Sequence, residues 1–181
     1  MRPLLILALF AAPLSAQVRI SPGFAVGPAI PMGDLGSISS PMLGGNAWVL
    51  ARIPGERYAV GLEFQYHQFK MDSVVVLGFD TTPSYMVAGP AWRGYGAMVR
   101  YEYDIKRPGL YAVGGAGLYF TRSTPAAEHP VQTPEDSHDF TVLAGLGYRM
   151  RELINLEIRV INVFTVNDSQ RWLPITVGFR F

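Results

Sequence analysis

The chain has no cysteine among its 181 residues, which excludes disulfide stapling, a thiolate metal site and a lipid anchor built on an N-terminal cysteine. Charge is sparse as well. Asp, Glu, Lys and Arg make up 16% of the residues and the formal net charge is +1, a balance that leaves no electrostatic footprint for nucleic acid. Beyond the N-terminal stretch, no apolar run approaches the roughly 18 residues of a transmembrane helix. In place of these features the chain carries 19 Gly, 14 Pro, 9 Tyr and 10 Phe and is 49% hydrophobic. Such a composition favours strands and turns over helices.

The N-terminus, MRPLLILALFAAPLSAQ, places one cation, Arg2, before an apolar run from Leu4 to Ala12, then Pro13 and the small residues Ser15 and Ala16. That is the layout of a secretory signal peptide, with an apolar run too short to cross a bilayer as a helix. Residues 1–16 are expected to be removed after Ala16, leaving residues 17–181 as one domain. Taking Arg2 from the 15 Lys and Arg leaves 14 against 14 Asp and Glu, so the mature chain is close to neutral.

Eight segments of strand character follow: roughly 23–32, 43–53, 57–70, 92–105, 110–122, 138–150, 153–164 and the terminal WLPITVGFRF. They are long for globular strands, which usually run about five or six residues, and close to the roughly 9–11 that cross a bilayer at a tilt. Their connections sort by length. PGE, KRPG and RE join segments two to three, four to five and six to seven; GDLGSISSP, residues 71–91, STPAAEHPVQTPEDS and TVNDSQR join the others. Short turns at one end and long polar loops at the other, with an even strand number, form the pattern of a membrane-spanning barrel.

Alternation assigns the faces. The terminal stretch sets Leu173, Ile175, Val177, Phe179 and Phe181 against Trp172, Pro174, Thr176, Gly178 and Arg180. Alone, this would equally suit a soluble barrel with its apolar face turned inward. Three further segments decide the matter. Tyr58, Val60, Leu62, Phe64 and Tyr66 oppose Gly61, Glu63, Gln65 and His67. Tyr95, Ala97, Val99, Tyr101 and Tyr103 oppose Gly96, Met98, Arg100, Glu102 and Asp104. Ile154, Leu156, Ile158 and Val160 oppose Asn155, Glu157 and Arg159. Charges recurring on one face while large apolar side chains fill the other are explained by lipid outside and a polar lumen inside. The fifth segment's facing stays open, because both of its faces are small and apolar. The shared YAVG puts Tyr58 and Tyr111 in one expected aromatic girdle. Gly114, Gly115, Gly117, Gly145 and Gly147 are expected where a narrow barrel bends or makes room for long neighbours.

The N-terminal signal, the first strand GFAVGPAIPMGDL, the alternating connections and the final Phe resemble the small eight-stranded outer-membrane barrels of the OmpA, OmpX and OmpW kind, over the whole mature chain. The resemblance implies an all-β fold, a closed antiparallel eight-stranded transmembrane β-barrel in the outer membrane of a diderm bacterium, with both ends in the periplasm and the long loops outside. It also implies that Leu173, Ile175, Val177, Phe179 and Phe181 form the signal read by the barrel-assembly machinery. Expected partners are outer-membrane lipid and that machinery during biogenesis. A monomer is expected, with no nucleic acid and with any extracellular ligand of the loops left open.

On this facing Arg52, Glu63, Arg100, Glu102, Asp104, Arg149, Glu157, Arg159 and Arg180 enter the lumen, with His67 near the loop end. An eight-stranded barrel is only wide enough for its own side chains. Its charges must therefore pair or incur a large desolvation cost. A lumen plugged by Arg and carboxylate pairs is expected, the pairing itself being open; exchange of partners would turn the same pairs into a gate, as the likeness to OmpA implies. Catalysis finds little support. EDSH, Glu135 to His138, has the residue types of a Ser, His and acid set, but sequence neighbours seldom point at one another. His67, His129 and His138 lie in separate segments, and Glu135, Asp136 and Asp139 read as a solvated acidic loop before a calcium site. No catalytic, cofactor or metal site is expected. SVVVLGF, Ser73 to Phe79, is expected to add strand above the membrane or to offer an edge to a partner. The functional expectation is a structural or surface-interaction protein without enzymatic activity. The alternatives are a narrow pore for small or apolar solutes and, further off, a lipid-modifying enzyme.

Overall fold

A computed structural model describes residues 18–71, 74–76, 85–87, 91–106, 109–124, 136–150, 153–165 and 169–181. The expected signal segment 1–16, His129 and Glu135 lie outside the described residues. Eight long strands build the structure: β1 (Arg19–Met32), β2 (Met42–Arg52), β3 (Tyr58–Met71), β4 (Ala91–Asp104), β5 (Leu110–Thr124), β6 (Asp136–Met150), β7 (Ile154–Phe164) and β8 (Ser169–Arg180). Each pairs antiparallel with the next in sequence, and β8 returns to β1 through Phe24↔Phe179 and Val26↔Val177. The sheet is thereby a closed up-and-down barrel, which removes the long open edges that would otherwise template aggregation.

The faces follow the period of two. Along β7 burial alternates at almost every residue, with Leu156, Ile158 and Val160 outward and Asn155, Glu157 and Arg159 inward. On β3 and β4, Leu62, Phe64, Val99 and Tyr101 are exposed while Glu63, Arg100 and Glu102 are buried. Soluble proteins rarely expose contiguous apolar patches beyond a few hundred Å². Here the apolar exterior continues around the strands, and only a lipid solvent makes that arrangement stable.

Chain length between strands fixes the two ends. The start of β1, Phe181 and the strand ends that the three short connections join lie at one end of the barrel; the strand ends that the longer connections join lie at the other. β1 begins at Arg19 instead of Gly23. Beyond Gly23↔Arg180, β8 offers only Phe181, whose N–H donates to the Pro22 carbonyl at 2.9 Å. This corner is an edge, where the missing N–H of Pro22 is tolerated.

Sequence periodicity does not reveal α1 (Asp34–Ile38), a single turn within the first long connection. It buries Leu35 against the barrel, and the Ser39 hydroxyl donates to the Leu35 carbonyl at 2.6 Å. Ser39 and Ser40 then pair with Met71 and Lys70 of β3. In the second long connection, Val74–Val76 pairs with Tyr85–Val87 as a separate two-stranded hairpin; the rest of Ser73 to Phe79 lies outside the described residues.

One expectation is corrected. Tyr58 is outward, but Tyr111 is fully buried inside the barrel, so the two do not share a girdle. Cross-strand partners face the same side. Tyr58 opposes the outward Tyr103, whereas Tyr111 opposes the inward Asp104. The turn before β5 lets Leu110 take the outward position first, which shifts the phase of YAVG by one. The facing of β5 is thereby settled: Tyr111, Val113, Tyr119 and Thr121 point inward, and Leu118 and Phe120 outward.

Candidate functional site

The lumen is the candidate site, and its floor plan begins with residues that have little or no side chain. β1 turns Gly23, Ala25, Gly27 and Ala29 inward, so the large inward side chains come from the other strands. Glycine makes the fit possible at two close approaches. A Cβ on Gly94 would lie 2.1 Å from the Tyr119 ring, and one on Gly147 would lie 2.2 Å from the Tyr111 ring. Both tyrosines fill the barrel because their neighbours' side chains are absent.

Five arginines and four carboxylates occupy the half of the lumen toward the short turns. Arg100, fully buried, stands at the centre. Its Nη1 reaches Glu63 at 2.5 Å, its Nη2 reaches Glu102 at 2.8 Å, and Nη2 also donates to Glu157. Its guanidinium lies 4.6 Å over the Trp48 ring. Arg159 donates to Glu63 at 2.6 Å and lies 3.5 Å from Glu157. Gln65 donates to Glu63, and the Tyr111 hydroxyl donates to Glu157 at 2.6 Å. Nearer the mouth, Arg149 donates to Glu102 at 2.6 Å and Asp104 at 2.7 Å while stacking on Tyr111 at 4.3 Å. Arg52 meets Asp104 at 2.6 Å, and Arg180 meets Glu102 at 3.0 Å.

Every lumen charge picked out by alternation, Arg52, Glu63, Arg100, Glu102, Arg149, Glu157, Arg159 and Arg180, lies in this one connected network, as does Asp104. Sequence reasoning missed Tyr111, Gln65 and Trp48 as its partners. The signal for Trp48 was present, since an inward Arg52 fixes Leu50, Trp48 and Asn46 on the same face by parity. Below the network, a cavity of about 450 Å³ opens at the short-turn mouth, lined by residues that include Arg19, Glu56, Asp104 and Phe181.

Toward the loop end the interior changes character. Trp172, Phe69, His67 and Tyr119 pack together, with Trp172 centroids 5.7 Å from Phe69, 5.5 Å from His67 and 5.2 Å from Tyr119. The His67 Nδ1 and the Tyr119 hydroxyl are hydrogen-bonded at 2.8 Å. Ile161, Val163 and Leu35 complete this apolar layer.

The other sequence candidates are dispersed. Ser137 bonds to Thr121 at 2.5 Å and to Asp139 at 2.8 Å, while His138 stands exposed on the outer face against Phe120. Ser137 and His138 therefore point to opposite sides of the sheet. Among the described residues no cluster of His, Asp and Glu has the form of a metal site. On β8, Leu173 is half-buried and Ile175, Val177, Phe179 and Phe181 face outward; Phe24 packs on Phe179 at 5.8 Å and on Phe181 at 6.3 Å.

An apolar exterior, an ion-paired interior and closure through eight antiparallel strands define the class, an eight-stranded outer-membrane β-barrel. No protein-family model and no curated protein matches the chain. Its fold is similar to the N-terminal β-barrel domain of Pseudomonas aeruginosa OprF, at 14% identity and TM-score 0.60, over 91% of this chain and 100% of that one. It is also similar to the Yersinia pestis outer membrane protein Ail in a phospholipid bilayer nanodisc, at 14% identity and TM-score 0.55, over 90% of this chain and 100% of that one. At such identities the likeness is one of fold.

Proposed function

We propose that this outer-membrane barrel has a structural or surface-interaction role, with a plugged lumen and long loops displayed outside the cell. The observation that carries the reading is the two-layer filling of the interior: a charge network around Arg100, then the aromatic layer around Trp172. An ion entering from the short-turn mouth meets paired charges and then an apolar seal, each unfavourable to cross. No chemistry is proposed for Ser137 and His138, which diverge. Planar-bilayer recording of the purified protein tests the plug. Wild type should give no steady openings, and steady openings altered by Glu63→Gln would overturn it.

A second reading, a narrow pore for small solutes, draws on a different observation. Both amide atoms of Asn46, the Gln65 Oε1 and the Thr176 Oγ1 are buried in the lumen with no protein partner among the described residues. They stand close to the Gly and Ala wall of β1, since Asn46 pairs with Ala25 and Gly27 abuts Thr176. Polar groups of this kind suit a hydrated track. The same recording separates the two readings.

A further inference from the structure

Three adjacent strands of the ring, β8, β1 and β2, contain no Asp or Glu, yet each delivers an arginine to the short-turn mouth. These are Arg180, Arg19 and Arg52, and all three line the cavity of about 450 Å³ that opens there. Arg19 and Arg52 are direct register partners, and Arg180 pairs with Gly23, deeper along the same inward face of β1. Arg149 of β6 joins the lining from across the mouth. Like charges directly opposite one another on a sheet repel, so the arc of Arg180, Arg19 and Arg52 calls for a counter-charge that its own strands do not carry.

The carboxylates within reach are shared already. Asp104 accepts from Arg52 at 2.6 Å and from Arg149 at 2.7 Å. Glu102 accepts from Arg149 at 2.6 Å, Arg100 at 2.8 Å and Arg180 at 3.0 Å. Glu56 is exposed at the rim, and among the described residues only its backbone carbonyl meets Arg52, at 3.5 Å. Phe181 stands at the same rim, and its carboxylate forms no ion pair among the described residues. Donors, in contrast, are left over. The Arg19 side chain has no ion pair or hydrogen bond among the described residues. Of the Arg180 guanidinium only Nη2 has such a partner, although the side chain is just 9% exposed. The Ser21 hydroxyl, which lies between Arg19 and Gly23 on β1 and lines the cavity, has none.

We propose that this mouth binds a soluble phosphate, free or as a small ester, seated between Arg19, Arg52 and Arg180 with the Ser21 hydroxyl as a further donor. Guanidinium forks match pairs of phosphate oxygens, and hydrogen bonds between charged partners are the strong kind. A tetrahedral anion is favoured over a lone carboxylate because the donors come from three strands and so approach from different directions, whereas a carboxylate offers two oxygens in one plane. Asp104 and Glu102, behind the cations, hold the Arg52 and Arg180 side chains in place. The anion offsets the repulsion between Arg19 and Arg52. The site needs only the closed barrel, so it is independent of whether the lumen above it conducts.

Backbone amide NMR of the folded barrel in maltoside micelles, a detergent without phosphate, tests it with inorganic phosphate and glycerol phosphate as probes. Both should shift the amides around Arg19, Ser21, Arg52 and Arg180 to saturation and leave the long-loop end unmoved. Tighter binding of the ester would assign the rest of the cavity to its organic part, and equal binding would assign the site to the free ion. R19Q removes a cation outside the ion-pair network and so leaves the fold intact. It should weaken binding at least about tenfold, the loss of one charged hydrogen bond. Lys106→Gln removes one charge from the same end but outside the cavity, and in about 0.15 M salt it should change the affinity less than about twofold. Acetate binding as tightly as phosphate, equal losses in R19Q and Lys106→Gln, or shifts that rise without saturating each overturn the proposal.

Discussion

Arg100 holds three carboxylates at once, Glu63, Glu102 and Glu157, and all four side chains are buried. The value of such a residue is asymmetric. The intact network largely offsets its own desolvation, but deleting the cation leaves buried like charges facing one another. Arg100→Met, which keeps the apolar stem, should cost about 3–5 kcal/mol. Tyr111→Phe removes only one hydrogen bond to a carboxylate and should cost about 1.5–3 kcal/mol. Urea unfolding in detergent micelles reads both. A loss for Arg100→Met no larger than that for Tyr111→Phe would mean that water, and not Arg100, compensates the carboxylates. The glycines behind Tyr111 and Tyr119 belong to the same logic, since each ring occupies the volume that a Cβ on Gly147 or Gly94 would need.

At the scale of elements, β8 carries two duties on opposite faces: Arg180 and Thr176 complete the lumen, and Ile175, Val177 and Phe179 meet lipid. Phe181 adds one backbone bond to Pro22 and a ring contact to Phe24, a small share of a barrel this extensively paired. Deleting Phe181 should therefore leave the unfolding midpoint of refolded barrels nearly unchanged, while the membrane-inserted fraction in cells falls severalfold. Equal insertion of the truncated and full chains would remove the assembly role proposed for this strand. How far each element was legible depends on contrast between its faces. Glu63, Arg100 and Glu157 sit between large apolar neighbours, so their phase could be read directly. β5 could not be read, because Val113, Gly115 and Gly117 inside differ little in size and polarity from Ala112, Gly114 and Ala116 outside. Its phase is carried instead by the turn and by the pairing of Tyr111 with Asp104. The layer of Phe69, Tyr119 and Trp172 was hidden for another reason: it is apolar inside, against the polar-lumen rule, and only closure brings β3, β5 and β8 together around it.

At the scale of the whole molecule, closure makes stability collective. Every strand is flanked by two partners, and the strand distant in sequence, β8, seals the first. No strand can peel away without exposing backbone groups on two neighbours, and in a detergent micelle those groups find little water to replace the lost bonds. The aromatic layer and the charge network add a barrier inside the ring, since unfolding must separate Arg100 and Arg159 from their carboxylates while they are still desolvated. Opening is therefore expected to be slow at room temperature and fast only on heating, because unfolding rates climb steeply with temperature. Unboiled protein in dodecyl sulfate gels should keep its compact shape and migrate apart from the boiled, extended chain. Arg100→Met should shift the conversion to lower temperature, whereas Lys106→Gln should not. A single band, unchanged by boiling, would show that detergent opens the sheet freely, and the closed lipid-facing barrel would have to be abandoned.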